Sequence, residues 1–209
     1  IAAGFGSMAF RVVFWVVLGL VTANSVRVWA RTHRAGEFTV RYGLSADLLD
    51  QGSATVTTAA DHDFTGSVTL KELKPQTKYH YQVYIGKVPS GPGGSFSTLP
   101  DADAHRESTH NPRGLFNFRF QFGSCANQNP KSGIGPSLPA HATMLRELQG
   151  KALFSIMNGD FIYEEHRSMP PADWLMQAGL APGQAPRIVN LVPNIVGRWE
   201  NYKTYLSRG

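Results

Sequence analysis

Two apolar runs that each stop at glycine constrain this chain more than any other feature. Phe118-Arg-Phe-Gln-Phe-Gly-Ser-Cys125 alternates like a strand, halts at Gly123 and then presents the only cysteine. Phe154-Ser-Ile-Met-Asn-Gly-Asp-Phe-Ile-Tyr163 halts at Gly159, presents a carboxylate and follows it with a phenol three residues on. Between the runs, Pro139 to Gln149 carries Ala142, Leu145 and Leu148 at helical spacing, with Gly150 as the stop. Strand, loop, helix and strand in that order begin a parallel sheet. In open α/β sheets, ligands bind just beyond the carboxyl ends of the strands. Cys125, Asp160 and Tyr163 are therefore expected together at one end of one sheet. Thiolate, carboxylate and phenolate are anionic donors that suit a hard or borderline metal ion, iron in particular.

Each of the three also has a plainer role open to it. Asp160 is a favoured helix N-cap type, a single cysteine often packs as a small hydrophobe, and Tyr163 could be an amphipathic core residue. Around them, Asn127, Gln128 and Asn129 form a polar cluster, and Asn158 could orient the Gly-Asp turn. Glu164, Glu165 and His166 read first as a solvated helix start favoured by the dipole. His141, Arg198 and Lys203 read as surface residues, with one of the two cations available to face a phosphate.

The first hundred residues follow a different grammar. Val26, Val28 and Ala30 alternate with Arg27, Trp29 and Arg31, and Phe38, Val40 and Tyr42 alternate with Thr39 and Arg41. Further strand patterns cover Val56 to Thr58, Val68 to Leu70, Tyr79 to Ile85 and Ser95 to Thr98. Turn signals separate them at the regular short spacing of a β-sandwich. Leu73-Lys-Pro-Gln-Thr-Lys-Tyr79 resembles the corner of fibronectin type III domains. There the tyrosine packs across the sandwich and its hydroxyl bonds back to the chain.

Residues 8–21 are strongly apolar, too short to span a bilayer, and interrupted by Arg11. They fit either a signal-peptide core or a buried first strand. The alternation that continues from Val26 favours a strand over residues 14–23. Pro100 to Gly114 is polar and reads as a linker or long surface loop. Residues 168–197, with five prolines and three glycines, read as a long insertion or lid. Trp199, Tyr202 and Leu206 recur at helical spacing. These divisions give a sandwich over 1–100, a linker over 101–117 and an α/β portion over 118–209.

Composition narrows the function classes. The 209 residues are 42% hydrophobic and 17% charged, as in a folded globular protein. The net charge of +5 comes from scattered basic residues. No basic stripe with interleaved aromatics supports a stable nucleic-acid partner. The dense spot from Arg27 to Arg34 reads as the exposed face of a strand. One cysteine excludes an internal disulfide, and no transmembrane span is expected.

Together, Ser25-Val-Arg-Val-Trp-Ala-Arg31, the fibronectin-like corner, Phe122-Gly-Ser-Cys125, Asn158-Gly-Asp-Phe-Ile-Tyr-Glu164 and Arg198-Trp-Glu-Asn-Tyr-Lys-Thr-Tyr-Leu206 resemble the alkaline phosphatase D (PhoD-like) family of metallophosphatases. The Gly-Asp-x-x-Tyr element is also shared, more distantly, with purple acid phosphatases. The resemblance implies a fibronectin type III-like sandwich followed by the start of a calcineurin-like (αββα) metallophosphatase domain. It implies hydrolysis of phosphate mono- or diesters by a metal-activated water at iron (Fe3+) and calcium. Cys125 would be the thiolate on iron, Asp160 the catalytic carboxylate shared between metals, and Tyr163 the phenolate on iron. It also implies an extracytoplasmic protein with a phosphate-ester substrate.

The family places its remaining ligands downstream of the helix near residue 209. The chain starts at Ile1 and ends just after a helical pattern, so it is expected to be an N-terminal fragment with little activity alone. A half-sheet of this kind should also expose apolar edges and a face. The alternative is a non-enzymatic extracellular binding module built on the fibronectin-like domain. A triad spread over more than about 8 Å would favour that reading, since the ligands of one metal lie within ~2.0–2.3 Å of it.

Overall fold

The computed structural model describes residues 16–91, 93–125, 139–160, 163 and 169–207. Its first hundred residues form eight strands: β1 (Val17–Gly19), β2 (Val26–Arg31), β3 (Gly36–Gly43), β4 (Gly52–Thr58), β5 (Thr65–Leu70), β6 (Lys78–Ile85), β7 (Val88–Pro89) and β8 (Gly94–Ser97). One sheet has the order β1-β2-β5. The other runs β4-β3-β6, with β7 and β8 both paired to β6. All these pairings are antiparallel. This is the expected fibronectin type III-like sandwich.

Alternation dictates which side chains it buries. Val26, Val28 and Ala30 of β2 meet Phe38 and Val40 of β3 and Val83 of β6, all fully buried. Full burial of each of the large ones is worth roughly 1.5–3 kcal/mol. Tyr79 stacks on Phe96 with ring centroids 5.6 Å apart. Phe96 lies one residue beyond Ser95 in the segment expected as the last strand.

The Leu73–Tyr79 corner closes as its sequence suggests. The Lys74 amide donates to the Tyr79 hydroxyl at 2.9 Å, and the Thr98 hydroxyl donates to the Lys74 carbonyl at 2.7 Å. Both backbone groups of Lys74 are thereby satisfied at the sandwich edge.

Three expectations need correction here. The described part of the first strand is only Val17–Gly19, and Leu20 ends it with a positive φ of 47°. Residues 8–15 of the apolar run at 8–21 lie outside the described residues. Arg31 is not on an exposed face: it is 7% exposed and bonded twice to Asp63, at 2.7 and 3.1 Å. Lys203 is not solvated either. It pairs with Glu200 and lies 3.8 Å from Asp63, with its side chain 15% exposed. The cause is shared: a C-terminal helix lies over the outward face of β2, which alternation alone would give to water.

Residues 101–117 form an ordered loop. The Asn111 side chain donates to the His105 and Leu115 carbonyls and accepts from the Leu115 amide. The Glu107 carboxylate accepts from the Thr109 and His110 amides, which holds it below the usual carboxylate range.

Beyond the loop come β9 (Gln121–Gly123), α1 (Pro139–Leu148), β10 (Ser155–Met157), α2 (Pro171–Gln177), α3 (Arg187–Leu191) and α4 (Ile195–Ser207). Both strands are shorter than the 118–123 and 152–157 patterns. The α1 face bearing Ala142 and Leu145 stands in solvent, with Leu145 63% exposed. The described part of the 168–197 segment, from Met169 on, is not an open insertion. Its prolines start helices, as Pro171 does for α2. Trp174, Leu175, Val189 and Val196 form a second core, and Trp199 packs on Trp174 at 5.1 Å.

Two substitutions test this account. Tyr79→Phe leaves the Lys74 amide without its acceptor, and the expected cost is ~1 kcal/mol in denaturant unfolding. Arg31→Ala strips the main partner from buried Asp63, and a loss of about 3–5 kcal/mol is expected. A change below ~1 kcal/mol at Arg31 would show that the pair carries little of the fold's stability.

Candidate metal centre

β9 and β10 pair in parallel, with Gln121 opposite Ser155, Phe122 opposite Ile156 and Gly123 opposite Met157. The bonding continues past both strands. The Asn158 amide donates to the Gly123 carbonyl at 2.8 Å, and the Cys125 amide donates to the Gly159 carbonyl at 3.2 Å. These two bonds bring Cys125 level with Asp160.

Both chains then turn in the left-handed region. Cys125 has φ 60°, Gly159 φ 91° and Asp160 φ 40°. Only glycine adopts such values freely, although aspartate tolerates them better than most side chains. Non-glycine residues held in this region cost of order 1–3 kcal/mol and cluster at functional sites. Gly159 takes the largest φ of the three.

The side chains converge. The Cys125 thiol donates to Asp160 Oδ2 at 3.6 Å. Ser124 Oγ shares a 3.1 Å hydrogen bond with Cys125 Sγ. Tyr163 also contacts Cys125. Partial desolvation, then the negative charges available to Cys125 and Asp160, push its phenol above the ordinary value of 10.0. A bound cation would reverse this effect on the phenol. The donor set of sulfur, carboxylate and phenol fits such a cation. Among the described residues, no group of three His, Cys, Asp or Glu side chains gathers, so the phenol is needed for a third donor.

Ser124 is the member that sequence reasoning left unassigned. Its place between a strand-ending glycine and a cysteine was the available signal. Asn158 contributes its backbone amide, and its side chain is exposed. Asn127, Gln128, Asn129, Glu164, Glu165 and His166 lie outside the described residues. His141 on α1 and Arg198 on α4 are exposed, as expected of surface residues.

Flanking the centre is a row of rings. Phe118 lies 6.0 Å from Phe120, and Phe120 stacks on Phe154 at 5.6 Å. Phe118, Phe120 and Phe122 are 47%, 50% and 62% exposed, so one face of the strand pair is apolar and uncovered.

The electrostatics have a titration signature. Tyr163 should hold its proton to higher pH than a free tyrosine. Cys125→Ser and Asp160→Asn should each lower its apparent pKa toward the ordinary value, as read by ultraviolet difference spectra. An unchanged phenol titration in both variants would mean that the three groups do not interact.

Residues 10–100 match the family model described as PhoD-like phosphatase, N-terminal domain. A solved structure titled "Structure of PhoD" is similar over 92% of this chain, with 16% identity and a TM-score of 0.57. This chain spans 36% of that one, and the likeness is one of fold. A fibronectin type III domain of human collagen XX matches 46% of this chain and 100% of its own length, at 22% identity and a TM-score of 0.32. No curated protein matches. Residues 10–100 thus resemble the N-terminal domain of the PhoD-like phosphatases, and the chain shares the fold of PhoD over 92% of its length.

Proposed function

We propose that this chain is the N-terminal portion of a metal-dependent phosphoric ester hydrolase, with Cys125, Asp160 and Tyr163 forming one side of its metal centre. The observation that carries the reading is the approach of the Cys125 thiol to Asp160, with Tyr163 against the same thiol. A binding module has no use for three metal donors gathered at adjacent strand ends.

The proposed metals are iron on Cys125 and Tyr163, and calcium sharing Asp160 with it. Bound metals of this kind lower the pKa of a coordinated water and neutralise charge on phosphoryl oxygens. The chain's own residues supply the rest. Asp160 has two oxygens and can face two cations at once. Ser124, bonded to Cys125 Sγ, helps orient the thiolate, as partners behind a metal ligand do. The left-handed turns fix the two strand ends, so little reorganisation is needed when a cation enters.

We place the protein outside the cytoplasm and its substrate among phosphate mono- or diesters, including the phospholipid and nucleotide diesters. We expect the 209-residue chain alone to turn over little, because three donors surround only one side of a centre.

The test is iron titration with absorption spectroscopy. One iron per chain is expected, with a charge-transfer band that Cys125→Ala and Tyr163→Phe each alter. Hydrolysis of p-nitrophenyl phosphate should be weak in this chain and strong in one extended downstream. Failure of both chains to bind metal would make the triad structural and return the binding-module reading.

A further inference from the structure

The turn that leads into Asp160 holds a reactive pair of its own. Asn158-Gly159 is the single Asn-Gly step of the chain. Its two outer groups are pinned: the Asn158 amide donates to the Gly123 carbonyl at 2.8 Å, and the Gly159 carbonyl accepts from the Cys125 amide at 3.2 Å. The groups between these bonds are not held. The Asn158 side chain is exposed, and among the described residues neither it nor the Gly159 N–H makes a hydrogen bond. Gly159 has φ 91°, and a side chain built on it would meet nothing within 4 Å. Its nitrogen is therefore unshielded and has free space beside it.

Other described asparagines lack this combination. Asn111 is bonded through both ends of its side chain and precedes a proline, which has no N–H. The Asn24 side-chain oxygen accepts from Thr22 Oγ1 at 3.1 Å. Asn201 is buried.

An exposed asparagine before an unhindered nitrogen closes on itself. The Gly159 nitrogen attacks the Asn158 side-chain carbonyl carbon and gives up its proton, and ammonia leaves. Water then opens the resulting succinimide at either carbonyl. One opening leaves aspartate at 158 with the backbone unchanged. The other leaves isoaspartate, with the side-chain methylene now in the main chain. Both reactants sit in one turn, so the attack is intramolecular and gains accordingly in effective concentration.

We propose that Asn158 is a spontaneous deamidation site in the folded chain, and that its isoaspartyl product uncouples Cys125 from Asp160. The added methylene falls between the two pinned groups. The bond to Gly123 is unaffected, whereas the Gly159 carbonyl is moved out of line with the Cys125 amide. The aspartyl product keeps both bonds. The turn thus has a chemical lifetime, whether or not a cation binds beside it.

The experiment incubates the full chain at mildly alkaline pH and physiological temperature, beside a short peptide of the Met157-Asn-Gly-Asp160 sequence. Peptide mapping by mass spectrometry reads conversion at Asn158, and labelling by isoaspartyl methyltransferase reads isoaspartate. Conversion in the folded chain at a rate similar to the peptide's is expected, with loss of both signals in Asn158→Gln. An intact Asn158 after the peptide has converted would overturn the assignment, as would faster conversion at another asparagine. Hydrogen exchange tests the consequence. The Cys125 amide should stay protected in Asn158→Asp and lose its protection in the isolated isoaspartyl form. Equal exchange in the two forms would overturn the uncoupling.

Discussion

Everything at the candidate centre depends on the register of one parallel strand pair. With Gly123 opposite Met157, the bonds from Asn158 and Cys125 fall where they must to bring the two chain ends level. A slip of one residue would turn Cys125 toward the opposite face. Nothing in the side chains of the centre could correct that. The register rests on three residue pairs and on the row of phenylalanines beside them. The chemistry of the site is therefore fixed by backbone pairing first and by donor identity second.

The other joint in the molecule is ionic. Arg31, Asp63, Lys203 and Glu200 connect the sandwich to α4 across a surface that strand alternation would leave wet. Removing charges from water is expensive, and a pair of this kind is weak evidence for net stability. It is better evidence for specificity. An apolar patch would accept α4 in several rotations, whereas two paired charges on each side accept few. Asp63 and Phe64, both at positive φ, turn the chain so that the carboxylate reaches back to β2.

Much of this was legible in the sequence, and the division has a physical basis. Local periodicity located the sandwich strands, the tyrosine corner, α1 and the parallel pair, because each is written in spacing along the chain. Cys125 and Asp160 stand at adjacent chain ends because strand stops announce where a sheet ends. What failed was long-range. The burial of Arg31 and Lys203 depends on contact between β2 and a helix more than a hundred residues further along the chain, and no local pattern records it. The 168–197 segment misled for a different reason: prolines that open helices and prolines that break them look alike until the following turn is known. The strand lengths were overread because an alternating pattern continues past the point where a partner is available.

The left-handed turns at Cys125 and Asp160 carry one more consequence. On backbone grounds alone, glycine would be the better residue at both positions, and cysteine is among the poorer ones for that conformation. A sequence selected only for a stable fold would not keep a thiol at such a site. On the proposed reading, these two residues are where backbone stability and metal binding would pull against each other. Stabilising substitutions would be easiest to find there, at the expense of the donor set.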